Sequence, residues 1–510
     1  MGAYVDGLLT PARVRVAAWV VVGLCVVAAV LNVALGDLPG TAIGTTFLPD
    51  WFAHWTGGRM LLDGHASDLY DPAVQQALQD SVTGGLPVLA WFVSPPVAGL
   101  VYVPFAALPY VASGVVWAAV TIALLVASAA LLRPLLPTYT DQQWRLALLC
   151  VAASQPVLEL VGGGQDSALL LLVWVAGLRL LHAHRDLAAG AVLALGLVKP
   201  QLFVLVPLVL LVQRRWSALG AWVATTLALV GASLAVGGID GNRAWVEALT
   251  SDRYHEVVQI GQSWMMHGVP SALVSLVPSS YAGVAQWVGL ALGAVLVVAM
   301  LLVVRRTPQA TVSATWSLVA LTTVLLTPHI LSYDLVLLIP AVLHLARGGG
   351  TRTTRLSLLA LFLLTWTAWP RHELAALSPW LGWVGVSWAV VPLLVLWREA
   401  YRDLGAAASD STEVDAAADT QVRIAEATRR RAGADVVWML GLLLMPGYLV
   451  GELLGDAWLW VAVASVLLIV VGGVLRARQT RAIWAADPDH APVPWKRTWL
   501  MDLDEPERKN

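Results

Sequence analysis

Long apolar runs alternate with short polar, arginine-bearing stretches along most of the chain, and several runs approach the roughly 20 residues that a helix needs to cross a hydrocarbon core. The pattern predicts an all-α, polytopic transmembrane fold with about 12–14 membrane helices. Arg13 and Arg15 flank the start of the first run, residues 14–35, which is too long for a secretory signal and lacks a clear small-residue cleavage site. It is expected to be a retained first helix with its N-terminus inside, because basic residues in short loops mark the cytoplasmic side. The same rule predicts crossings at residues 111–132, 144–161, 167–181, 218–236, 284–304, 313–326, 331–346, 356–369 and 380–397.

Two stretches resist a full crossing. Residues 89–108 contain Ser94-Pro95-Pro96 and end between Pro104 and Pro109, and a crossing there would leave Arg133 and Arg145 outside. A re-entrant or interfacial segment is expected instead. Residues 187–212 are interrupted by Lys199-Pro200, which predicts two short helices that dip in and return to Arg214 and Arg215.

This scheme places residues 36–87, 162–166 and 238–280 outside, together with Thr327-Pro328-His329 and the loop around Arg371-His372-Glu373. The first external loop carries Asp37, Asp50, Asp63, Asp68, Asp71 and Asp80 against the single Arg59, and loops of that length are often functional. From Arg398 the composition shifts to Ala, Asp, Glu, Thr and Arg. The expected division is a transmembrane core over 1–397, a cytoplasmic linker over 398–435, an accessory transmembrane hairpin over 436–475 and a cytoplasmic tail over 476–510.

Composition sharpens the class. Of 510 residues, 58% are hydrophobic and 13% charged, against about 25% charged in soluble domains, which excludes an ordinary soluble enzyme. A net charge of -2 supplies no basic field for nucleic acid. Cys25 and Cys150 lie inside apolar runs and read as packing residues. His255, Glu256 and His267 lack the convergent spacing of a metal site, so neither metal nor cofactor is expected. No phosphate-cradling P-loop, Rossmann glycine pattern or nucleophile elbow is present.

Several residues invite chemistry. Asp50 lies among Phe47, Trp51, Phe52 and Trp55, where partial desolvation would raise a carboxylate toward a general base's range, although an aspartate there also suits a helix N-cap. Lys199 interrupts an apolar run, which points to a phosphate-facing cavity or to a side chain snorkelling to the interface. Gln165 and Asp166 follow Gly162-Gly163-Gly164, whose amides could bind sugar hydroxyls or phosphate, and Asp166 could equally cap the helix starting at Ser167. His54, Arg59, Trp51 and Trp55 are candidates for an acceptor site, with interfacial anchoring as the alternative for the tryptophans. Residues 243–267 could lie along the membrane as a lid, and Arg371 could bind phosphate or form a solvated ion pair.

The order Asp50, Gly58-Arg59-Met60-Leu61-Leu62-Asp63-Gly64, Leu69-Tyr70, Ser94-Pro95-Pro96, Gly164-Gln165, Leu197-Val198-Lys199-Pro200 and Thr327-Pro328-His329 resembles glycosyltransferase family 87. That family comprises polyprenyl-phosphate-sugar-dependent GT-C enzymes, including actinobacterial mannosyl- and arabinofuranosyltransferases. The resemblance spans roughly residues 13–397. It implies a plasma-membrane enzyme with its active site in the external loop, a polyprenyl-phosphate sugar as donor and a glycolipid or glycan as acceptor. It further implies Asp50 as catalytic base and His329 as a residue that contacts the donor phosphate or assists that base. Asp166 departs from the family pattern, which continues Gly-Gln with an apolar residue and Asn. The competing reading is a transporter or flippase of lipid-linked sugars. The absence of a visible repeat or of matching broken helices in two halves weighs against it. A non-catalytic scaffold would make Asp50 dispensable.

Overall fold

The computed structural model describes residues 10–85, 89–367, 374–377 and 386–406. Among them the fold is all-α, with only isolated bridges at Gly40–Thr46 and Met266–Leu331. The predicted hairpin at 436–475, most of the linker and the tail lie outside the described residues, as does Arg371.

Helix α1 (Pro11–Ala34) leads to α2 (Pro49–Leu62), α3 (Pro72–Thr83) and α4 (Pro96–Ala106). Each opens on proline, whose fixed φ suits a first turn and whose missing N–H would have had no helical partner there. The next elements are α5 (Tyr110–Leu132), α6 (Asp141–Ala152), α7 (Gln155–Gly163), α8 (Ser167–His182) and α9 (Asp186–Ala194). They are followed by α10 (Pro200–Phe203), α11 (Val206–Val212), α12 (Trp216–Thr250), α13 (Val269–Val274) and α14 (Ala282–Arg306). Helices α15 (Val312–Leu326), α16 (Ile339–Ala346), α17 (Arg352–Trp366) and α18 (Val390–Ala406) complete the described bundle.

Among the described residues four helices are long and apolar enough to cross a membrane: α1, α5, α12 and α14, the second and fourth with their short flanking turns. Other predicted crossings are short or broken. The run 144–161 bends by 56° between α6 and α7, where Ser154 is extended and Pro156, having no N–H, cannot continue the hydrogen bonding of α6. The run 331–346 is a tight 3-10 segment, Ser332–Leu338, continued by α16. Short helices are tolerated where neighbours enclose them, and α8 and α15 are buried along most of their length.

The hairpin predicted around Lys199 is present. Helix α9 tightens into a 3-10 turn over Leu195–Val198, the chain breaks at Lys199, and α10 and α11 return. At its base Arg215 pairs with Asp186 at 2.7 Å. Its flank packs closely on α12: a Cβ on Gly190 would lie 1.9 Å from the Ala218 carbonyl oxygen. The core beneath the hairpin contains Trp174, which meets Phe203 and Trp316 edge-on at 5.4 Å each.

Helix α12 is 35 residues long and turns at Gly238, whose φ of 63° lies in the left-handed region. Its second limb makes the start of the external segment expected over 238–280 helical as far as Thr250. Helix α18 runs past Trp397, so the boundary expected at 397/398 falls inside a packed helix. Ala400 and Leu404 are buried, and Asp403 accepts two hydrogen bonds from Arg347 at 2.8 and 2.9 Å.

The Gly190 contact yields a stability prediction. Gly190→Ala is expected to lower the thermal unfolding midpoint in detergent, with a destabilisation of about 1–3 kcal/mol from overpacking. Gly220→Ala has nothing within 4 Å of the added methyl and is expected to leave the midpoint unchanged or raise it slightly.

Candidate active site

A cavity of about 700 Å³ opens where segments distant in sequence converge. Its walls come from the start of α2, residues 89–95, Glu159 and Gln165, the Lys199 tip, residues 245–265 and the stretch from Thr327 to Asp334. These include four stretches that the charge pattern assigned to one side of the membrane. The re-entrant tip reaches the same space.

Asp50 occupies the second position of α2, and its side chain makes no capping hydrogen bond; the cap position belongs to Leu48, which has a left-handed backbone. The Tyr110 hydroxyl holds that turn through the carbonyls of Phe47 and Leu48. Trp51 stacks on Trp117 with ring centroids 4.4 Å apart and donates to Ser113 Oγ, so α2 starts in a fixed orientation. Gly163 explains how the carboxylate fits: a Cβ there would lie 2.5 Å from Asp50 Oδ2. Gly164 adopts φ +78°, and its Cβ would meet Trp51 at 2.7 Å. The two glycines therefore admit α2 at close range, which accounts for them without any ligand.

Desolvation pushes the Asp50 carboxyl up to about 6, against the opposing effects of a Gln165 hydrogen bond and the Lys199 charge. Gln165 Oε1 faces His54 Nε2 at 3.3 Å and accepts from Lys199 Nζ at 3.4 Å. The His54 ring lies on Tyr102, centroid to centroid 4.5 Å.

Lys199 does not snorkel. Its Nζ lies 2.6 Å from Asp166 Oδ1 and 3.3 Å from Asp334 Oδ1, and its side chain is 13% exposed. Asp166 sits at the start of α8 without capping it, and also accepts from Tyr102 Oη at 2.7 Å. Ser167 donates to Asp334 at 2.5 Å. Burial alone would raise Asp166, but Lys199 and its other partners outweigh it and hold the carboxyl down near about 2.

His329 lines the cavity, faces the Tyr254 ring at 6.0 Å and is held neutral by desolvation, its pKa lowered to about 4. Ser271 anchors this turn through the Pro328 carbonyl at 2.6 Å, and Thr327 Oγ1 reaches the Gln201 carbonyl at 3.3 Å, joining the turn to the Lys199 tip. His267 is fully buried between Ser332 and Ser387 and braces the same stretch. The segment expected as a lid thus supplies wall residues, including Trp245, Arg253, Tyr254 and Met265.

Asp50, His54, Gln165, Lys199 and His329 therefore share one cavity, and Asp166 supports it through Lys199. Arg59 does not line it. Its partner is Asp63, at 2.8 Å on the same helix. Trp51 and Trp55 are buried packing residues, Trp55 donating to the Leu108 carbonyl at 3.1 Å, so neither is an interfacial anchor or an acceptor contact. Asp334 and Glu159 escaped the sequence reading. Each is an acid inside an otherwise apolar run, the signal that should have marked them. Among the described residues no group of three or more His, Cys, Asp or Glu side chains converges in a metal-holding arrangement.

Residues 92–328 match the model of glycosyltransferase family 87. No curated protein and no solved structure matches the chain.

The raised Asp50 carboxyl has two expected consequences. Its ordinary value is 3.8, so the stability associated with its protonated form is complete below about pH 4 and is lost as pH rises to about 6. Above that pH, Asp50→Asn should unfold at a higher temperature than wild type, whereas at pH 4 the two should coincide. Any activity that needs Asp50 as a base should rise with pH and level off above about 6. A pH–rate profile that is flat between 4.5 and 8 would exclude that role.

Proposed function

Residues 92–328 belong to glycosyltransferase family 87, and from that premise we propose that this membrane glycosyltransferase moves a mannosyl or related pentosyl unit from a polyprenyl-phosphate sugar to a glycolipid or glycan acceptor. The transfer proceeds with inversion at the external face of the plasma membrane. The observation that carries the reading is Asp50: a desolvated carboxylate on the wall of a 700 Å³ cavity, oriented by Gln165 and held close by Gly163.

In the proposed step an acceptor hydroxyl attacks the anomeric carbon of the donor. Asp50 takes the hydroxyl proton as the new carbon–oxygen bond forms. The bond from the anomeric carbon to the phosphate oxygen breaks, and its electron pair stays on the phosphate, which leaves as a polyprenyl phosphate. Inversion follows from a single displacement. His329, neutral and on the wall of the same cavity, has a ring nitrogen suited to a phosphate or sugar oxygen. Gln165 and His54 present polar groups to the same space. Lys199 contributes chiefly by holding Asp166 and Asp334 in place, since its own charge is already matched.

The external face is supported by the charge pattern, in which Arg133, Arg145, Arg214 and Arg215 fall on the side opposite the cavity-forming loops. A lipid-linked donor agrees with a chain that has no nucleotide-binding motif.

The test is sugar transfer by purified protein to a membrane lipid extract from radiolabelled polyprenyl-phosphate mannose, and then from the corresponding arabinofuranose donor. Wild type should transfer one of them, and Asp50→Asn should lose at least about a hundredfold of the rate. Equal transfer by both proteins would remove Asp50 from the mechanism. A product anomer that matches the donor's would remove the single displacement.

A further inference from the structure

The charges around the cavity leave one cation over. Among the described residues only Lys199 and Arg253 line it with a positive charge. Lys199 is held between two buried carboxylates, so it has little attraction left for an incoming anion. Both cavity-lining histidines, His54 and His329, are shifted by burial toward the neutral form. Against these stand Asp50 and Glu159 on the same walls. A phosphate entering this space finds Lys199 already matched and the histidines uncharged, and needs a cation of its own.

Arg253 is that cation. It is exposed, and it makes no ion pair with a carboxylate among the described residues, although Asp252 and Glu256 flank it in sequence. Its guanidinium lies over the Trp91 ring, 5.4 Å from the centroid. Trp91 meets Tyr254 at 6.3 Å, and Tyr254 in turn meets His329 at 6.0 Å. The aromatic shelf thus connects Arg253 to the histidine expected at the phosphate. A guanidinium that lies over an indole ring and pairs with no carboxylate keeps N–H donors for a second partner, and its fork matches two phosphate oxygens.

We propose that Arg253, lying over the Trp91 ring at the cavity wall, binds the donor phosphate and takes up the negative charge it gains on leaving. The proposal rests on the lipid-phosphate donor argued above. The donor is a phosphodiester with one negative charge. When the anomeric carbon–oxygen bond breaks, the departing phosphate monoester carries the added electron pair and approaches two charges. Arg253 therefore stabilises the transition state and the released lipid phosphate more than the bound donor.

The experiment measures binding, free of any need for turnover. The intact protein in detergent is titrated with a polyprenyl phosphate and with the matching uncharged polyprenol, and tryptophan fluorescence reports occupancy. Wild type is expected to prefer the phosphate. Arg253→Ala should bind the alcohol as wild type does and lose about tenfold to a hundredfold in affinity for the phosphate, with Arg253→Lys intermediate. Arg253→Gln keeps part of the stem and a neutral N–H donor, and carries the same comparison where alanine disturbs the shelf. In turnover, the Ala variant should lose more in kcat than in donor KM. If the variants keep the full preference for phosphate, Arg253 is not the clamp and the donor class stands. If wild type shows no preference, the lipid-phosphate donor fails and the clamp fails with it.

Discussion

The site is organised by one buried cluster of charge, the Lys199 ammonium between Asp166 and Asp334. It joins three parts of the chain that share no local sequence: the start of α8, the tip of the α9–α10 hairpin and the stretch leading into α16. Buried ions are expensive unless each has partners, and removing one member of such a set typically costs about 3–5 kcal/mol. Ser167, Tyr102 and Gln165 supply the remaining hydrogen bonds. Once this cluster forms, the Gln165 amide is held beside Asp50 and the Thr327–Asp334 stretch is held against the tip, so the cavity acquires its shape.

A second constraint is close approach between α2 and the end of α7. Gly163 and Gly164 leave room for the Asp50 carboxylate and the Trp51 side chain, and the stacked Trp51–Trp117 pair supports α2 from behind. Aromatic packing suits this task because Trp and Tyr carry large apolar area and still satisfy their polar atoms, as Trp51, Trp55, Trp117 and Tyr110 all do. The result is a rigid wall on which a carboxylate can be kept partly desolvated. Rigidity matters because a base must face its proton at hydrogen-bond distance, and small displacements are costly in rate.

These two constraints divide the labour among the charged groups. One cation, Lys199, is spent on structure and on holding the Asp166 carboxyl low. Another, Arg253, sits on an aromatic shelf with its charge unmatched by any carboxylate among the described residues. The acids divide likewise: Asp166 is held low by its partners, whereas Asp50 is raised by burial, and groups whose environments push their titrations apart can serve different roles in one site.

Much of this was legible in the chain. The apolar runs determined an all-α membrane protein, Lys199-Pro200 determined a break that folds back, and the side assignment of the loops anticipated that Asp50, Gln165 and His329 would face one space. Composition and period suffice for these because each depends on local hydrophobicity, proline chemistry and charge. What the chain could not disclose was pairing. Lys199 as a structural ion, Asp334 as its partner, Gly163 as room for Asp50, and Arg253 as the unmatched cation all arise only when remote segments meet. Likewise the α6–α7 bend turned one expected crossing into two helices, and enclosure by neighbours let short helices replace full spans. Local sequence determined which segments are apolar helices and where they break; tertiary structure alone decided which charges find partners, because the energy of a buried charge depends on what lies within a few ångströms in space.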